Sequence, residues 1–316
     1  MAREGHVTVV GAGAMGGGLA TQFALRDRPV TLVDHRESNL EDARNRVEGA
    51  LDVLGETGAT ERGVADVLSG IEFTLDLEDA VGESTVVLET VSEELAIKRE
   101  VFECVGEAAP SDTILASNTS SIPITRIGEA VPAVADRVVG CHWWYPPYLL
   151  DPVEVVRGER TSDETVDQTR AFVESVGKDP ILVERDVPGF VWNRVQFAVL
   201  RECLHLVEEG VASAADVNRA IRDGYARRTS VIGPFETVDL AGLDLFRTIA
   251  ADLYPVLSDC DEPNETLDER LAVGRTGVES GAGIFEYDRS TEVVARERDE
   301  RLAALARVHS GFRVEE

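Results

Sequence analysis

The stretch "HVTVVGAGAMGGGLATQFALRDRPVTLVD", residues 6–34, decides the fold because it joins two apolar segments through a glycine-rich turn and a helical pattern. "HVTVV" and "PVTLVD" are short, apolar and rich in β-branched residues, which is typical of strands buried on both faces. Between them, "MGGGLATQFALRD" carries apolar residues at helical spacing. This order is that of a parallel strand–helix–strand unit, so we expect strands and helices to alternate further along the chain.

The alternation continues up to residue 187, and only helical patterns follow. Pro188-Gly189, in "ERDVPGFVWNR", is a strong break, and residues 190–210 then form a long amphipathic pattern. We therefore predict an α/β fold, with a doubly wound Rossmann-type parallel sheet in residues 1–187 and an all-helical domain in residues 188–316. The other predicted elements of the first domain are a helix at about 40–54 and strands at 84–90, 113–118, 137–142 and 180–184.

The charge of the chain is strongly negative. Its 316 residues contain 59 Asp and Glu against 31 Lys and Arg, a formal net charge of −28, and Lys98 and Lys178 are the only lysines. We interpret this as a solvated acidic surface like that of proteins adapted to high salt. A nucleic-acid partner is not expected, because phosphate binding requires basic patches.

The sequence also bears on compartment and metal binding. It has no run of about 18 apolar residues, so no membrane partner is expected, and the first strand starts too early for a signal peptide. We therefore expect a cytoplasmic protein. The four cysteines are far apart and form no CxxC pair, which favours buried free thiols over a metal site or disulfides.

The glycine-rich turn has the G-x-G-x-x-G spacing at Gly11, Gly13 and Gly16. The first glycine permits the tight turn, the second lets a pyrophosphate approach the backbone, and the third lets helix and strand pack closely. Asp34 stands 21 residues after Gly13, at the end of the second strand, where a carboxylate can bind the adenosine ribose. The combination predicts a dinucleotide site that prefers NAD, although Arg36 could accommodate the extra phosphate of NADP.

His142 and Glu154 are the candidate catalytic pair. A nicotinamide dehydrogenase that oxidises an alcohol needs a base for the hydroxyl proton, and a histidine oriented by a carboxylate suits this role. Of the five histidines, His142 stands at the end of a late predicted strand, where ligand sites of open α/β sheets gather. Glu154 lies in the apolar run "PVEVV", where a charge needs a partner. The alternative is a histidine that is merely hydrogen-bonded at a strand end.

Several motifs together resemble one family. "GAGAMG", "SNTSS", "GCHWWYPPYLLDPVEVV", "DVPGFVWNR" and "GPFETVDLAGLD" occur in the order seen in 3-hydroxyacyl-CoA dehydrogenases and their relatives that act on carnitine or gulonate. The resemblance extends from the first strand to about residue 288. It implies a nucleotide-binding domain followed by a helical domain that takes part in substrate binding and forms a homodimer.

The resemblance also implies roles for individual residues. It makes His142 the base, with Glu154 as its carboxylate partner. Ser120 would bind the substrate's 3-oxygen, Asn193 would be an active-site amide, and Glu93 with Lys98 would lie near the nicotinamide ribose. For three of them the sequence allows a structural alternative. Ser120 could be a turn residue, Asn193 could face solvent, and Lys98 could pair with Glu94 at helical spacing.

The chain departs from the family at two points. The family carries Asn three residues after the base, where this chain has Tyr145, whose hydrogen-bonding capacity differs. The long helix after the second strand, which in acyl-CoA enzymes of the family supplies lysines near the CoA phosphates, here has arginines and acids but no lysine.

Three functions remain open at this point. The leading hypothesis is NAD-dependent oxidation of L-3-hydroxyacyl-CoA to 3-oxoacyl-CoA, a reaction of fatty acid metabolism. The second is the same chemistry on a free 3-hydroxy acid such as L-gulonate or L-carnitine. For L-carnitine, Trp143, Trp144 and Tyr145 could form an aromatic wall for the ammonium group. The third is a non-catalytic NAD-binding protein.

Overall fold

A computed structural model describes residues 5–309 of the chain. It contains one eight-stranded sheet with the strand order β3-β2-β1-β4-β5-β6-β7-β8. Apart from one pair, neighbouring strands are parallel, so the predicted fold class is confirmed. The strands are β1 Val7–Val10, β2 Val30–Val33, β3 Ile71–Thr74, β4 Val86–Glu89, β5 Ile114–Ser117, β6 Val138–Trp143, β7 Pro152–Val156 and β8 Asp179–Val183.

The exception is β7, which runs antiparallel to β6. Neither β7 nor β3 was predicted from the sequence. The loop between β6 and β7 covers residues 144–151, and so short a connection cannot carry the crossover that a parallel strand needs. The chain therefore turns back, and the register places His142 directly opposite Glu154.

Helices cover both faces of the sheet, as in a doubly wound fold. On one face Phe23, Leu32 and Trp143 belong to a buried apolar cluster, and on the other Phe102 and Leu115 belong to a second one. The helices around the sheet are α1 Ala14–Leu25, α2 Glu37–Glu56, α3 Val64–Leu68, α4 Leu77–Val81, α5 Leu95–Ala108, α6 Ile124–Gly128 and α7 Asp163–Ser175.

Helices make up most of the rest of the chain. Ser213 caps the second of them, since its hydroxyl accepts a hydrogen bond from the backbone N–H of Asp216. The long π-helical segment Ala220–Ala226 joins two of these helices. They are α8 Trp192–Glu208, α9 Ala214–Arg219, α10 Arg227–Thr229, α11 Pro234–Ala241, α12 Leu243–Leu253, α13 Glu265–Ala272 and α14 Thr291–His309.

The contacts within the chain define two compact units. Unit 1 comprises the residues up to Arg194 together with Arg296–His309, and unit 2 comprises Val195–Ala295. Most of the last helix therefore belongs with the sheet, although the sequence did not predict this helix. The functional division at residue 188 stays a prediction, and residues 1–4 and 310–316 of the two predicted domains lie outside the described residues.

Two smaller expectations concern helices and thiols. Within residues 5–309, no helix is both long enough and apolar enough to cross a membrane. The four cysteines are free, but only Cys141 is buried, and Cys260 is exposed. The prediction of buried thiols was therefore wrong for Cys260.

Candidate active site

The glycine-rich turn has the geometry that its spacing predicts. Gly11 has a φ of +109°, and a Cβ there would lie 2.8 Å from the carbonyl oxygen of Thr90. At Gly16 a Cβ would lie 1.8 Å from the carbonyl oxygen of Gly11, so only glycine lets helix α1 approach β1 this closely. Gly13, which precedes the first residue of α1, has no such neighbour within 4 Å. The turn thus leaves open backbone at a helix N-terminus, where a phosphate group fits.

Asp34 ties this turn to the end of β2. Its carboxylate accepts hydrogen bonds from the backbone N–H of Ala12 at 2.8 Å, from that of Arg36 at 3.0 Å and from the Asn39 amide at 2.8 Å. The side chain is buried, and Oδ1 takes the bonds from Arg36 and Asn39 and lies 3.2 Å from Nδ1 of His35. Oδ2 takes the bond from Ala12 and has a second lone pair, which can accept a hydroxyl. Together, Gly11, Gly13, Gly16 and Asp34 fit a dinucleotide.

The predicted pair His142 and Glu154 is in contact. The Nδ1 atom of His142 lies 2.6 Å from Oε2 of Glu154, and both side chains are buried. A carboxylate at Nδ1 fixes the proton on that nitrogen and leaves the lone pair on Nε2. The pair can therefore act as a base through Nε2, with the carboxylate stabilising the imidazolium that forms.

Glu154 has three further donors. Its Oε1 accepts the backbone N–H groups of Val191 at 2.8 Å and Trp192 at 3.0 Å, at the start of α8, and the indole of Trp144 lies 3.4 Å from Oε2. Burial raises the pKa of Glu154, but the hydrogen bonds from His142, Trp192 and Val191 outweigh it and hold the pKa below its ordinary value. Glu154 is therefore kept ionised, and only the ionised carboxylate can stabilise an imidazolium by its charge.

Ser120 and Asn193 meet on the other side of the imidazole. The hydroxyl of Ser120 lies 3.2 Å from Nε2 of His142, the nitrogen that carries the lone pair. The amide of Asn193 donates to the carbonyl oxygen of Ser120 at 3.1 Å, so it does not simply face solvent. The structure therefore brings the four predicted catalytic residues into one hydrogen-bonded group.

Glu93 and Lys98 lie next to this group, and they reveal a residue that the sequence reasoning missed. Lys98 is buried, and its ammonium contacts Glu89 at 2.8 Å and Glu93 at 3.2 Å rather than the predicted alternative, Glu94. Glu89, also buried, accepts a further hydrogen bond from the Ser117 hydroxyl at 2.7 Å. An acid that ends an apolar strand was the signal for Glu89, but its partners come from two other elements.

The Glu93 carboxylate organises the turn that carries Ser120. It accepts the backbone N–H groups of Ser120 and Ser121, both at 2.8 Å, and the hydroxyl of Thr119 at 2.7 Å. Burial raises the pKa of Glu93, whereas the hydrogen bond from Thr119 and the charge of Lys98 lower it more, to about 2. Ser120 is therefore both a turn residue and a neighbour of the base.

Aromatic side chains frame the pair. Phe190, also missed from the sequence, is buried with a φ of +49°, and its ring lies 5.7 Å from the His142 ring, edge to face. Trp144 stacks on Trp192 at 4.0 Å between ring centres. Trp143 is buried in the core and packs against Phe23, so the suggested aromatic wall of Trp143, Trp144 and Tyr145 does not form.

All these groups share one edge of the sheet. Gly11 follows β1, Asp34 follows β2, Glu89 ends β4, Ser120 lies in the turn after β5, and His142 is one residue from the end of β6. Since these five strands are parallel, their carboxyl ends meet at one edge, the usual place for a ligand in an open α/β sheet. The glycine-rich turn and His142 therefore lie at the same edge of the sheet, as a reaction between two bound molecules would require.

Comparison with known proteins gives consistent matches. The model of the 3-hydroxyacyl-CoA dehydrogenase NAD-binding domain matches residues 6–187, and the model of the same family's C-terminal domain matches residues 189–287. A probable 3-hydroxybutyryl-CoA dehydrogenase of Deinococcus radiodurans is 35% identical over 280 residues, which are 88% of this chain and 99% of that protein.

Two further matches concern another substrate. The 5-formyl-3-hydroxy-2-methylpyridine 4-carboxylate 5-dehydrogenase of Mesorhizobium japonicum is 36% identical over 310 residues, 97% of this chain and 98% of that protein. A crystal structure of a dehydrogenase for this substrate, described as an NAD+-dependent dismutase, is similar with a TM-score of 0.89 at 35% identity, covering 98% of this chain and 99% of that one.

Proposed function

The chain belongs to the 3-hydroxyacyl-CoA dehydrogenase family, NAD-dependent oxidoreductases that act on CH–OH groups, and from this premise we propose that His142 is its catalytic base. The observation that carries the proposal is the contact between His142 and Glu154, with the free Nε2 directed at Ser120. A substrate hydroxyl in hydrogen-bond reach of Nε2 would transfer its proton to His142, while hydride leaves the carbon that carries this hydroxyl. Glu154 stabilises the resulting imidazolium.

Ser120 and Asn193 hold the reacting oxygen in this proposal. The Ser120 hydroxyl is 3.2 Å from Nε2, so it can donate to the substrate oxygen that the base deprotonates. Asn193 fixes the Ser120 backbone through its amide, and Glu93 fixes it from the other side. Such fixed donors lower the barrier because they need no reorientation when charge develops on the oxygen.

NAD is the cofactor, and in our proposal Gly11, Gly13, Gly16 and Asp34 hold it. When bound, NAD accepts the hydride that leaves the substrate carbon. The turn at Gly13 takes the pyrophosphate, and Asp34 accepts the ribose hydroxyl. We also propose that Glu93 and Lys98 lie beside the nicotinamide ribose, as the resemblance implies.

The substrate is a hydroxy acid in one of two forms. L-3-hydroxyacyl-CoA is the form supported by the family and by the Deinococcus relative. A free hydroxy acid is the second candidate, favoured by Tyr145 in the family's Asn position. Similarity over almost the whole chain to a dehydrogenase named for a pyridine carboxylate favours a substrate without CoA, although the reacting group in that name is a formyl group. The chemistry at His142 is the same for both forms.

The proposal is tested by NADH formation in high salt with L-3-hydroxybutyryl-CoA, L-gulonate and L-carnitine, and by NAD+-dependent turnover of the pyridine carboxylate. His142→Gln should lower kcat about 10²- to 10⁴-fold because the general base is lost. The matched control is His205→Gln, on α8 in unit 2, which should retain activity. An active His142→Gln enzyme would contradict the proposed base. A wild-type enzyme that turns over none of the four compounds would contradict the proposed dehydrogenase function.

We also propose that the chain forms a homodimer through unit 2. Large apolar side chains of this unit are exposed within the chain, among them Phe235 at 85% and Leu240 at 81%. Exposed apolar patches of this kind usually mark an interaction surface. A second copy of the same unit offers the same side chains, as an isologous dimer requires.

A further inference from the structure

We propose that helix α14 is a positioning element of the active site, which acts through Asp299 and Tyr148 on the loop between β6 and β7. This loop, residues 144–151, joins the strand of the proposed base to the strand of its carboxylate partner. The inference rests on the proposed function, and it adds residues to which neither the family models nor the sequence assigned a role.

Helix α14 lies beyond the residues that the two family models match, yet most of it belongs to unit 1. The family models end at residue 287, whereas α14 starts at Thr291. Ala303 is 1% exposed and belongs to the apolar cluster on one face of the sheet, with Leu302 packed against the same cluster. An ion pair between Arg296 and Glu56 connects α14 to the C-terminal end of α2. The helix is thus docked through both apolar and charged contacts.

Four side chains connect α14 to the loop, and we call them the clamp: Tyr145, Tyr148, Arg298 and Asp299. The buried Asp299 carboxylate accepts the Tyr148 hydroxyl through Oδ2 at 2.8 Å and the Arg298 Nε through Oδ1 at 2.8 Å. The guanidinium carbon of Arg298 lies 4.8 Å from the centre of the Tyr145 ring, within the range of a cation–π contact. The clamp therefore binds the loop at two positions.

The Tyr148 contact is a charge-assisted hydrogen bond with a stable donor. Burial raises the pKa of Tyr148, and the Asp299 charge raises it further, so the hydroxyl is protonated at neutral pH and can donate the hydrogen bond. A hydrogen bond from a neutral hydroxyl to a buried carboxylate is stronger than one between neutral groups. Loss of the carboxylate charge should therefore weaken the link between α14 and the loop.

Other elements hold the remaining positions of the loop, and the clamp residues Tyr145 and Tyr148 lie between these positions. Trp144 stacks on Trp192 and points its indole N–H at Glu154. Pro147 packs so closely against α1 that a Cβ at Gly18 would lie 2.9 Å from its ring. At the far end, Lys178 donates to the carbonyl oxygen of Leu150 at 2.8 Å. Movement of Tyr145 or Tyr148 would be transmitted to Trp144, and from Trp144 to the Glu154 carboxylate.

The test compares Asp299→Asn and Tyr148→Phe with Arg301→Gln, a control on the same helix whose exposed side chain pairs with Glu297 of α14 itself. The two clamp variants should lower kcat/KM for the hydroxy acid about tenfold to a hundredfold, because small misplacements at a distance reduce reactive geometry. The NADH dissociation constant should stay unchanged, and the Arg301→Gln enzyme should behave as wild type. In hydrogen exchange, residues 144–151 should exchange faster in the clamp variants only.

Each outcome decides the proposal. Unchanged loop exchange in both clamp variants would overturn it, as would faster exchange with wild-type kcat/KM. Equal losses in Arg301→Gln would show that any change on α14 has this effect, whether or not it touches the loop, which also overturns the proposal. If the wild-type enzyme turns over none of the hydroxy acids, the proposed function fails, and loop exchange alone then decides whether the clamp positions the loop.

Discussion

The two compact units differ in how well they bury their own side chains. Unit 1 has two apolar clusters, one on each face of its sheet. It also holds the proposed catalytic residues, which all precede Val195. In the described residues of unit 2, the buried positions are Leu204, Val217, Asn264 and one glycine. Most apolar side chains of its helices are exposed even with the whole chain present.

This difference suggests that unit 1 carries the catalytic site and that unit 2 carries the surface for assembly. Unit 1 holds its site next to a packed core, and the buried charges of the site, Glu89, Lys98 and Glu154, have partners, as buried charges must. Unit 2 carries amphipathic helices whose apolar faces need another surface, since helical stability in proteins comes mostly from packing such a face. We therefore expect mutations in unit 1 to change turnover without changing assembly, and mutations on the surface of unit 2 to do the reverse.

The largest effect on turnover apart from the base itself is expected for Glu154→Gln. An amide cannot stabilise the imidazolium of His142 by charge, and its NH2 group would face the backbone N–H groups of Val191 and Trp192 if its oxygen kept the histidine. We expect kcat to fall about 10²- to 10⁴-fold. Kinetics with the substrate found active will measure the loss.

The same variant also tests the independence of the units, because Glu154 binds the first turn of α8 and α8 continues into unit 2. Size-exclusion chromatography with light scattering should give the same mass for Glu154→Gln and wild type. A change of mass would show that the site and the assembly surface are coupled, contrary to the comparison of the two units.

The next effect concerns assembly. Phe235→Glu combined with Leu240→Glu places two charges on the exposed apolar surface of unit 2. Burying an unpaired charge at an interface costs several kcal/mol, so dimer dissociation should increase about a hundredfold or more. Analytical ultracentrifugation measures the dissociation constant, with Glu236→Gln on the same helix as the control. A wild-type monomer, or an unaffected double variant, would contradict the proposed dimer.

A smaller effect is expected for Asp34→Ala, which removes the carboxylate that holds Ala12 and faces the ribose in our proposal. NADH affinity should fall about tenfold, as each lost hydrogen bond to a charged group contributes roughly 1.5 kcal/mol or more. Fluorescence titration with NADH measures it, and Asp42→Ala, on the exposed side of α2, is the control. An unchanged affinity would remove Asp34 from the nucleotide site.

The sequence predicted best what depends on neighbouring residues. The β1–turn–β2 unit follows from local apolar patterns and glycine spacing, and both agree with the structure. The pairing of His142 with Glu154 was predicted from burial and resemblance, but the antiparallel strand that aligns them was not. "PVEVV" is short and follows a loop of prolines and aromatic residues, so its pattern does not show the direction of the strand.

What the sequence missed depends on contacts between distant elements. Glu89 matters because Lys98 and Ser117, from a helix and another strand, meet its carboxylate. Helix α14 is rich in charges of both signs, so it lacks the wide apolar stripe that marks a docked helix, and it docks partly through ion pairs. Such contacts are fixed by the tertiary fold rather than by local sequence.

The smallest predicted effect concerns the pH dependence of stability in unit 1. Burial lowers the pKa of Lys178 to about 8, and the charge of Asp151 only partly compensates. Because the folded pKa lies below the unfolded value, folding releases a proton between pH 8 and 10.5, and the free energy of unfolding should rise with pH there.

Relative to Lys178→Met, wild type should gain about 1 kcal/mol between pH 8 and 9, because one proton contributes 1.36 kcal/mol per pH unit at most and Lys178 is still half protonated in the folded state at pH 8. Urea unfolding of both proteins across this range measures the difference, and subtraction removes the titration of all other groups. Since Lys178 also binds Leu150 in the loop beside the site, its stabilising effect belongs to unit 1. Parallel curves for the two proteins would show that the ammonium is as well solvated in the folded state as in the unfolded one, contrary to its burial.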